Sequence, residues 1–201
     1  VAIEITELTE LAFEGGAPLT TTPVVGAPSR SLTPVLTPTA EPVRDGEIRV
    51  TVLGSGDQFV KSSQASASLL IEVGNPDRDL FFFDLGSGAL ANYNGLGLPV
   101  TATTKVFLTH LHADHVGDMP TLVWSLAKAG RRDPVEVWGP AGETPDLGTR
   151  SYAEHLQAAH AWDMQSLRGH PGQSGAHTEV TEVPWDRTAM VYDRNGVRVS
   201  S

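Results

Sequence analysis

The sequence predicts an α/β fold. Three observations carry this: short alternating apolar runs open the patterned part of the chain, strand-like and helix-like periods then succeed one another, and strand-like runs return at the end. With 201 residues, 40% hydrophobic and 19% charged, the chain can build one ordinary core or a large part of a bigger one. Every apolar stretch is interrupted by Gly, Pro, Ser or a charge before it reaches the roughly 20 residues that a membrane span needs. The expectation is therefore a soluble chain. Lys and Arg number 14 against 24 Asp and Glu, and the resulting net charge of −10 repels a phosphate backbone, so nucleic acid is an unfavoured partner. The absence of cysteine excludes disulfides, thiolate metal sites and Cys nucleophiles, leaving His, Asp and Glu to hold any transition metal.

The chain starts at Val1 with no basic and apolar leader after it, which is expected of a processed product, including an exported one that has lost its leader. The compartment stays undecided. Ala17 to Pro42 is rich in Pro and Thr without regular periodicity, so residues 1–46 are expected to form an arm or linker and residues 47–201 the domain. Ile48, Val50 and Val52 alternate as in a strand, and Gly54-Ser55-Gly56 turns the chain. Because residue 59 is Phe rather than a third Gly, this turn does not read as a dinucleotide loop. Ser68 to Val73 and Leu80 to Phe83 are strand-like around a Gly-Asn-Pro-Asp turn, with Phe81-Phe82-Phe83 suited to burial on both faces. Thr104 to Leu108 is a fourth strand. Asp118 is placed to cap a helix with Leu122, Val123, Leu126 and Ala127 on one face, stopped by Gly130 and followed by Arg131-Arg132 as a solvated helix end. Val135 to Trp138 predicts a strand, and Tyr152, Leu156, Ala159 and Asp163 predict a helix to about Leu167. Thr178 to Val183, Ala189 to Asp193 and Val197 to Ser201 are strand-like, the last two joined by an Arg194-Asn195-Gly196 hairpin turn.

Chemistry concentrates in Thr109-His110-Leu111-His112-Ala113-Asp114-His115-Val116-Gly117-Asp118, at the end of a strand and the start of a helix. On extended backbone His110 and His112 share a face and can grip one ion. Where the chain turns, Asp114 and His115 can aim at a second ion, and paired ions in hydrolases lie about 3.5–4 Å apart. Imidazole and carboxylate without sulfur select Zn²⁺, with Mn²⁺ or Fe²⁺ less suited. The other histidines are poorer candidates: His155 and His160 point about 140° apart on a helix, and His170 and His177 lie in a Gly-rich stretch.

This segment resembles the HxHxDH signature of the metallo-β-lactamase superfamily. Leu53-Gly54-Ser55-Gly56, Phe83-Asp84-Leu85-Gly86, and Trp138-Gly139-Pro140 with Gly142 are also similar to it, in particular to its ribonuclease-Z-like and arylsulfatase-like branch, over about Glu47 to Ser201. The resemblance implies a four-layered αβ/βα sandwich, of which this chain carries the N-terminal half. It implies that His110 and His112 bind one metal and Asp114 and His115 another, two Zn²⁺ per complete site. Asp84 would receive a ring N–H from a ligand histidine and fix its tautomer, or else merely form the turn before Gly86. It further implies a hydrolase in which a hydroxide shared by the metals attacks an ester-type bond, with Asp114 as the catalytic residue that orients or deprotonates the water. Small anionic sulfate esters or phosphodiesters are the favoured substrates, then a lactone or β-lactam. In the superfamily a further His, a bridging Asp and a last His complete the site, so a complementary C-terminal half or a second chain is expected as partner, with His170 or His177 as weak substitutes. One layer alone would also leave an apolar sheet face open, and homo-oligomerisation is one way to cover it. Two other readings are an RNA 3′-end processing endonuclease and a non-catalytic fragment or pseudoenzyme that serves assembly or partner binding.

Overall fold

The computed structural model describes residues 42–102 and 105–201. The arm expected over residues 1–46 lies outside them up to residue 41, as does Thr104 at the start of the fourth predicted strand. The elements are β1 (Ile48–Gly54), β2 (Ser68–Val73), β3 (Leu80–Phe83), α1 (Ala89–Gly95), β4 (Lys105–Phe107), α2 (Ala113–Val116), α3 (Met119–Lys128), β5 (Val135–Pro140), α4 (Thr149–Ala159), α5 (Ala161–Ser166), β6 (Thr178–Val183), β7 (Met190–Arg194) and β8 (Val197–Ser200). The first six strands form one sheet in chain order, and β7 and β8 form a separate hairpin. β1 to β3 run antiparallel, whereas β3 to β6 are parallel. Parallel neighbours need a crossover, which α2 and α3 supply between β4 and β5, and α4 and α5 between β5 and β6.

The side-chain alternation of the strands sorts the core into two layers. Leu70, Phe82, Val106 and Val137 face the helices and pack with Tyr93, Leu122 and Leu126. Ile71, Phe81, Phe107 and Trp138 face the other way, beneath Tyr192 and Val197 of the hairpin. The phenylalanine run therefore behaves as expected: Phe81 and Phe82 are both buried, on opposite faces, each contributing about 2–3 kcal/mol of burial. On the hairpin side Phe107 stacks between Phe83 at 4.9 Å and Trp138 at 4.8 Å, and Tyr192 meets Phe81 edge-on at 5.5 Å. Toward β1 the hairpin no longer covers the sheet. Ile48, Val50 and Val52 are 38%, 46% and 53% exposed, on the same face as Ile71, the partner of Val50.

Three local features depart from the sequence expectations. The helix expected through residues 152–167 breaks at His160 (φ −104°), where the imidazole Nδ1 sits 2.8 Å from the Leu156 carbonyl that the His160 amide also contacts. Asp118 occupies the N-cap position of α3, but its side chain makes no bond to that helix. Its Oδ2 accepts the Leu90 N–H at 2.9 Å and so caps α1. That helix was not predicted, being short and preceded by Gly88 with no polar cap of its own. The β7–β8 turn matches its prediction, with Asn195 (φ 54°) and Gly196 (φ 77°) both in the left-handed region that a two-residue hairpin loop requires.

Candidate metal centre

β3 and β4 leave the sheet side by side, and their two following loops make the site. Asp84, the first residue after β3, adopts φ 57°, a conformation that Asp tolerates better than most residues, at a cost of about 1 kcal/mol. Its surroundings hold it there: the Asp84 amide donates to the Phe107 carbonyl at 2.8 Å, and its carbonyl accepts the Ser68 hydroxyl at 2.9 Å. Two residues on, Gly86 lets the loops touch, because a Cβ there would lie 2.0 Å from the Asp114 carbonyl oxygen. The Leu85 amide donates to the His115 carbonyl at 2.7 Å, and the Asp118 amide to the Leu85 carbonyl at 2.9 Å, so α2 is clamped to the β3 loop.

Asp84 is only 6% exposed, and its carboxylate is filled by donors from the other loop. Oδ1 accepts the Thr109 amide at 2.8 Å, and Oδ2 accepts the Thr109 hydroxyl at 2.8 Å and faces His115 Nδ1 at 2.7 Å. His110 Nδ1 lies 3.0 Å from the Thr109 hydroxyl, and its Nε2 lies 3.1 Å from His112 Nδ1. His115 Nε2 is 3.5 Å from Asp114 Oδ2, and the His110 and His115 rings are 4.0 Å apart. Burial first, then the neighbouring His115 and His112, hold the His110 imidazole below the usual histidine range, against the pull of Asp84 and Asp114.

The predicted residues thus come together as two adjacent pairs. Donor atoms about 2.0–2.1 Å from one tetrahedral Zn²⁺ are separated by about 3.3–3.4 Å, and both pair distances are of that size. Among the described residues no three His, Asp or Glu side chains converge on one point. The donor types and pair spacings fit a metal, two ligands at a time.

The remaining histidines lie elsewhere. His177 directly precedes β6, at the sheet end opposite to His110, and His170 accepts the Gly172 amide at 3.1 Å, where Gly172 abuts Ala127 near the end of α3. His155 Nδ1 is within 2.8 Å of the Ser151 carbonyl. Sequence reasoning gave no part to Thr109, whose signal was a hydroxyl directly before the first histidine. It also did not foresee a hollow of about 520 Å³ beside His110, walled by Phe83, Phe107, Trp138 and Trp185.

A mixed sheet in which β4 runs into a His-x-His-x-Asp-His loop, clamped by a carboxylate that follows the neighbouring strand, places together the residues by which the chain resembles the metallo-β-lactamase superfamily. Within that class the chain belongs to the family described as "Anti-Pycsar protein Apyc1", whose family model matches residues 48–157. It is 29% identical over 150 residues to a ribonuclease Z of Mycobacterium marinum, covering 71% of this chain and 51% of the relative. To a ribonuclease Z of Methanosarcina acetivorans it is 29% identical over 111 residues, 55% of this chain and 33% of the relative. The metallo-β-lactamase-fold protein YhfI of Bacillus subtilis superposes with a TM-score of 0.48 at 19% identity, over 72% of this chain and 50% of that one. The chain spans about half or less of the length of these relatives. Among the described residues no helix is long and apolar enough to cross a membrane.

Proposed function

We propose that this chain carries the metal-binding half of a dinuclear hydrolase that cleaves a phosphodiester. The observation that supports it is the adjacency of the two donor pairs, His110 with His112 and Asp114 with His115, around one buried carboxylate. In this reading each pair holds one ion, Zn²⁺ before Mn²⁺ or Fe²⁺. When bound, the metals supply a water acidified to a pKa of around 7 and stabilise negative charge in the transition state. With such metals bound, Asp114 would orient that water or take its proton, while Asp84 would hold the His115 ring by its Nδ1. Zinc sites hold three protein ligands even when catalytic, so further His or Asp ligands come from a complementary segment or a second chain.

The ribonuclease relatives favour a phosphodiester over a sulfate ester. The aromatic walls of the hollow beside His110 suit a small anionic ester that carries a flat group. The same relatives favour structured RNA as the second reading, and the net charge of −10 weighs against it.

The test is metal content together with hydrolysis of a small aryl phosphodiester, an aryl sulfate and a structured RNA. Phosphodiester turnover lost on chelation and restored by zinc is expected of the chain joined to its complementary segment, and weak zinc binding without turnover of residues 1–201 alone. His110→Ala and Asp114→Asn should each lower turnover by about a hundredfold or more, with His155→Ala unchanged. Turnover that survives chelation, or equal losses in all three variants, would overturn the assignment.

A further inference from the structure

The metal reading leaves Thr109 without a role, although its hydroxyl lies within hydrogen-bond distance of two parts of the site, 2.8 Å from Asp84 Oδ2 and 3.0 Å from His110 Nδ1. Donor and acceptor accounting settles which way each proton points. A hydroxyl has one proton to give, and an ionised carboxylate only accepts, so the Thr109 proton goes to Asp84. Toward His110 the same oxygen can then only accept, which requires the His110 proton to sit on Nδ1. A neutral imidazole carries one N–H, so His110 Nε2 is left as a lone pair, directed at the side of His112 Nδ1, 3.1 Å away. His115 follows the same logic: its Nδ1–H donates to Asp84 Oδ2 at 2.7 Å, and its Nε2 lone pair faces Asp114.

We propose that Thr109 is a positioning residue whose hydroxyl relays the Asp84 carboxylate to His110, so that one buried carboxylate sets the tautomer of one histidine in each donor pair. The hydroxyl is not placed by rotamer preference alone. The Thr109 amide binds Oδ1 of the same carboxylate at 2.8 Å, so backbone and side chain grip it together and the β-branched side chain has little freedom to turn away. A loop-forming threonine would need only the amide bond, which Thr109→Val retains. The hydroxyl is what the relay adds. The proposal rests on His110 being a metal ligand only for its consequence, a fixed lone pair toward the ion, and not for the hydrogen bonds themselves.

The test compares wild type, Thr109→Val and Thr109→Ser, all metal-free at neutral imidazole charge, by side-chain ¹⁵N NMR, which distinguishes Nδ1–H from Nε2–H. Wild type and Thr109→Ser should show His110 as Nδ1–H. Thr109→Val should lose that preference while His115 keeps its own. Titration with zinc alone should then show affinity about 10–100-fold weaker in Thr109→Val and near wild type in Thr109→Ser. His110 protonated on Nε2 in the wild-type protein overturns the proposal without any variant. So does a Thr109→Val protein with an unchanged His110 tautomer. Correct tautomers in a wild-type protein that takes up no zinc would support the relay and sink the metal reading instead.

Discussion

β3 is four residues long and is bracketed by two buried carboxylates, Asp79 before it and Asp84 after it, that do different work. Asp79 meets the Lys105 ammonium and the Asn75 and Asn195 side-chain amides, the latter at 2.8 and 3.3 Å. These donors are an ammonium and two side-chain amides. They tie the β2–β3 turn to β4 and to the hairpin turn. Asp84 instead serves the Thr109 amide and hydroxyl and the Nδ1 of a histidine ring whose Nε2 faces Asp114. Burial and depth are alike at the two ends. What separates the two carboxylates is the kind of donor each faces, and only Asp84 has a part in the proposed metal site.

That contrast can be broken by swapping one charge at a time. Asp84→Asn places an NH₂ against either the Thr109 amide or the pair of donors on Oδ2, so one of them loses its acceptor. Zinc affinity should fall about 10–100-fold, measured by titration, with a smaller effect on folding than the change at Asp79. Asp79→Asn should do the reverse. It strands Lys105, which is 22% exposed, and should cost about 3 kcal/mol in urea unfolding while zinc affinity stays put. If both substitutions lower both quantities equally, the two ends are not functionally distinct.

Acid sharpens the same comparison. Burial pushes the Asp79 carboxyl up, but Lys105, Asn75 and Asn195 together hold it below its ordinary 3.8. Its folded pKa lies under its unfolded one, so the unfolded chain takes up the proton first as pH falls. The stabilisation is complete above about pH 3.8 and is lost as pH drops through the lower, folded value. The stability gap between wild type and Asp79→Asn should therefore narrow below that pH, and a constant gap would remove Asp79 from the acid response. The smallest effect belongs to Asn195, which reaches Asp79 at the edge of hydrogen-bond range from a left-handed turn position. Asn195→Ala should cost about 1 kcal/mol in thermal unfolding and leave zinc affinity unchanged.

The proposed donor pairs were legible as candidates because they are local: His110, His112, Asp114 and His115 fall within six residues, close enough to be grouped even though β4 ends at Phe107, before the first of them. The Asn195-Gly196 turn was legible for the same reason. Contacts between distant residues carried no such signal. Asp84 meets His115 across 31 positions and Asp118 caps α1 across 28, so neither the loop clamp nor α1 follows from periodicity. Only resemblance to a family suggested a partner for Asp84. The Apyc1 family match places the chain more narrowly than the ribonuclease-Z-like and arylsulfatase-like branch did, and Thr109 went unassigned because its part depends on counting protons.

The frame in which β3 meets β4 has a consequence for how the site comes into being. Phe81 faces Lys105, Phe82 faces Val106 and Phe83 faces Phe107, and this alignment brings Asp79 to Lys105 at one end and Asp84 to Thr109 at the other. A slip by one residue would turn each phenylalanine to the wrong layer and part both carboxylates from their donors at once. The site cannot assemble on a misaligned sheet. Thr109 lies on the surface, yet its amide is bonded to Asp84, so its exchange with deuterated solvent should follow separation of the two strands rather than fraying of the loop. One surface amide thus reports on whether the strands beneath it are paired in frame.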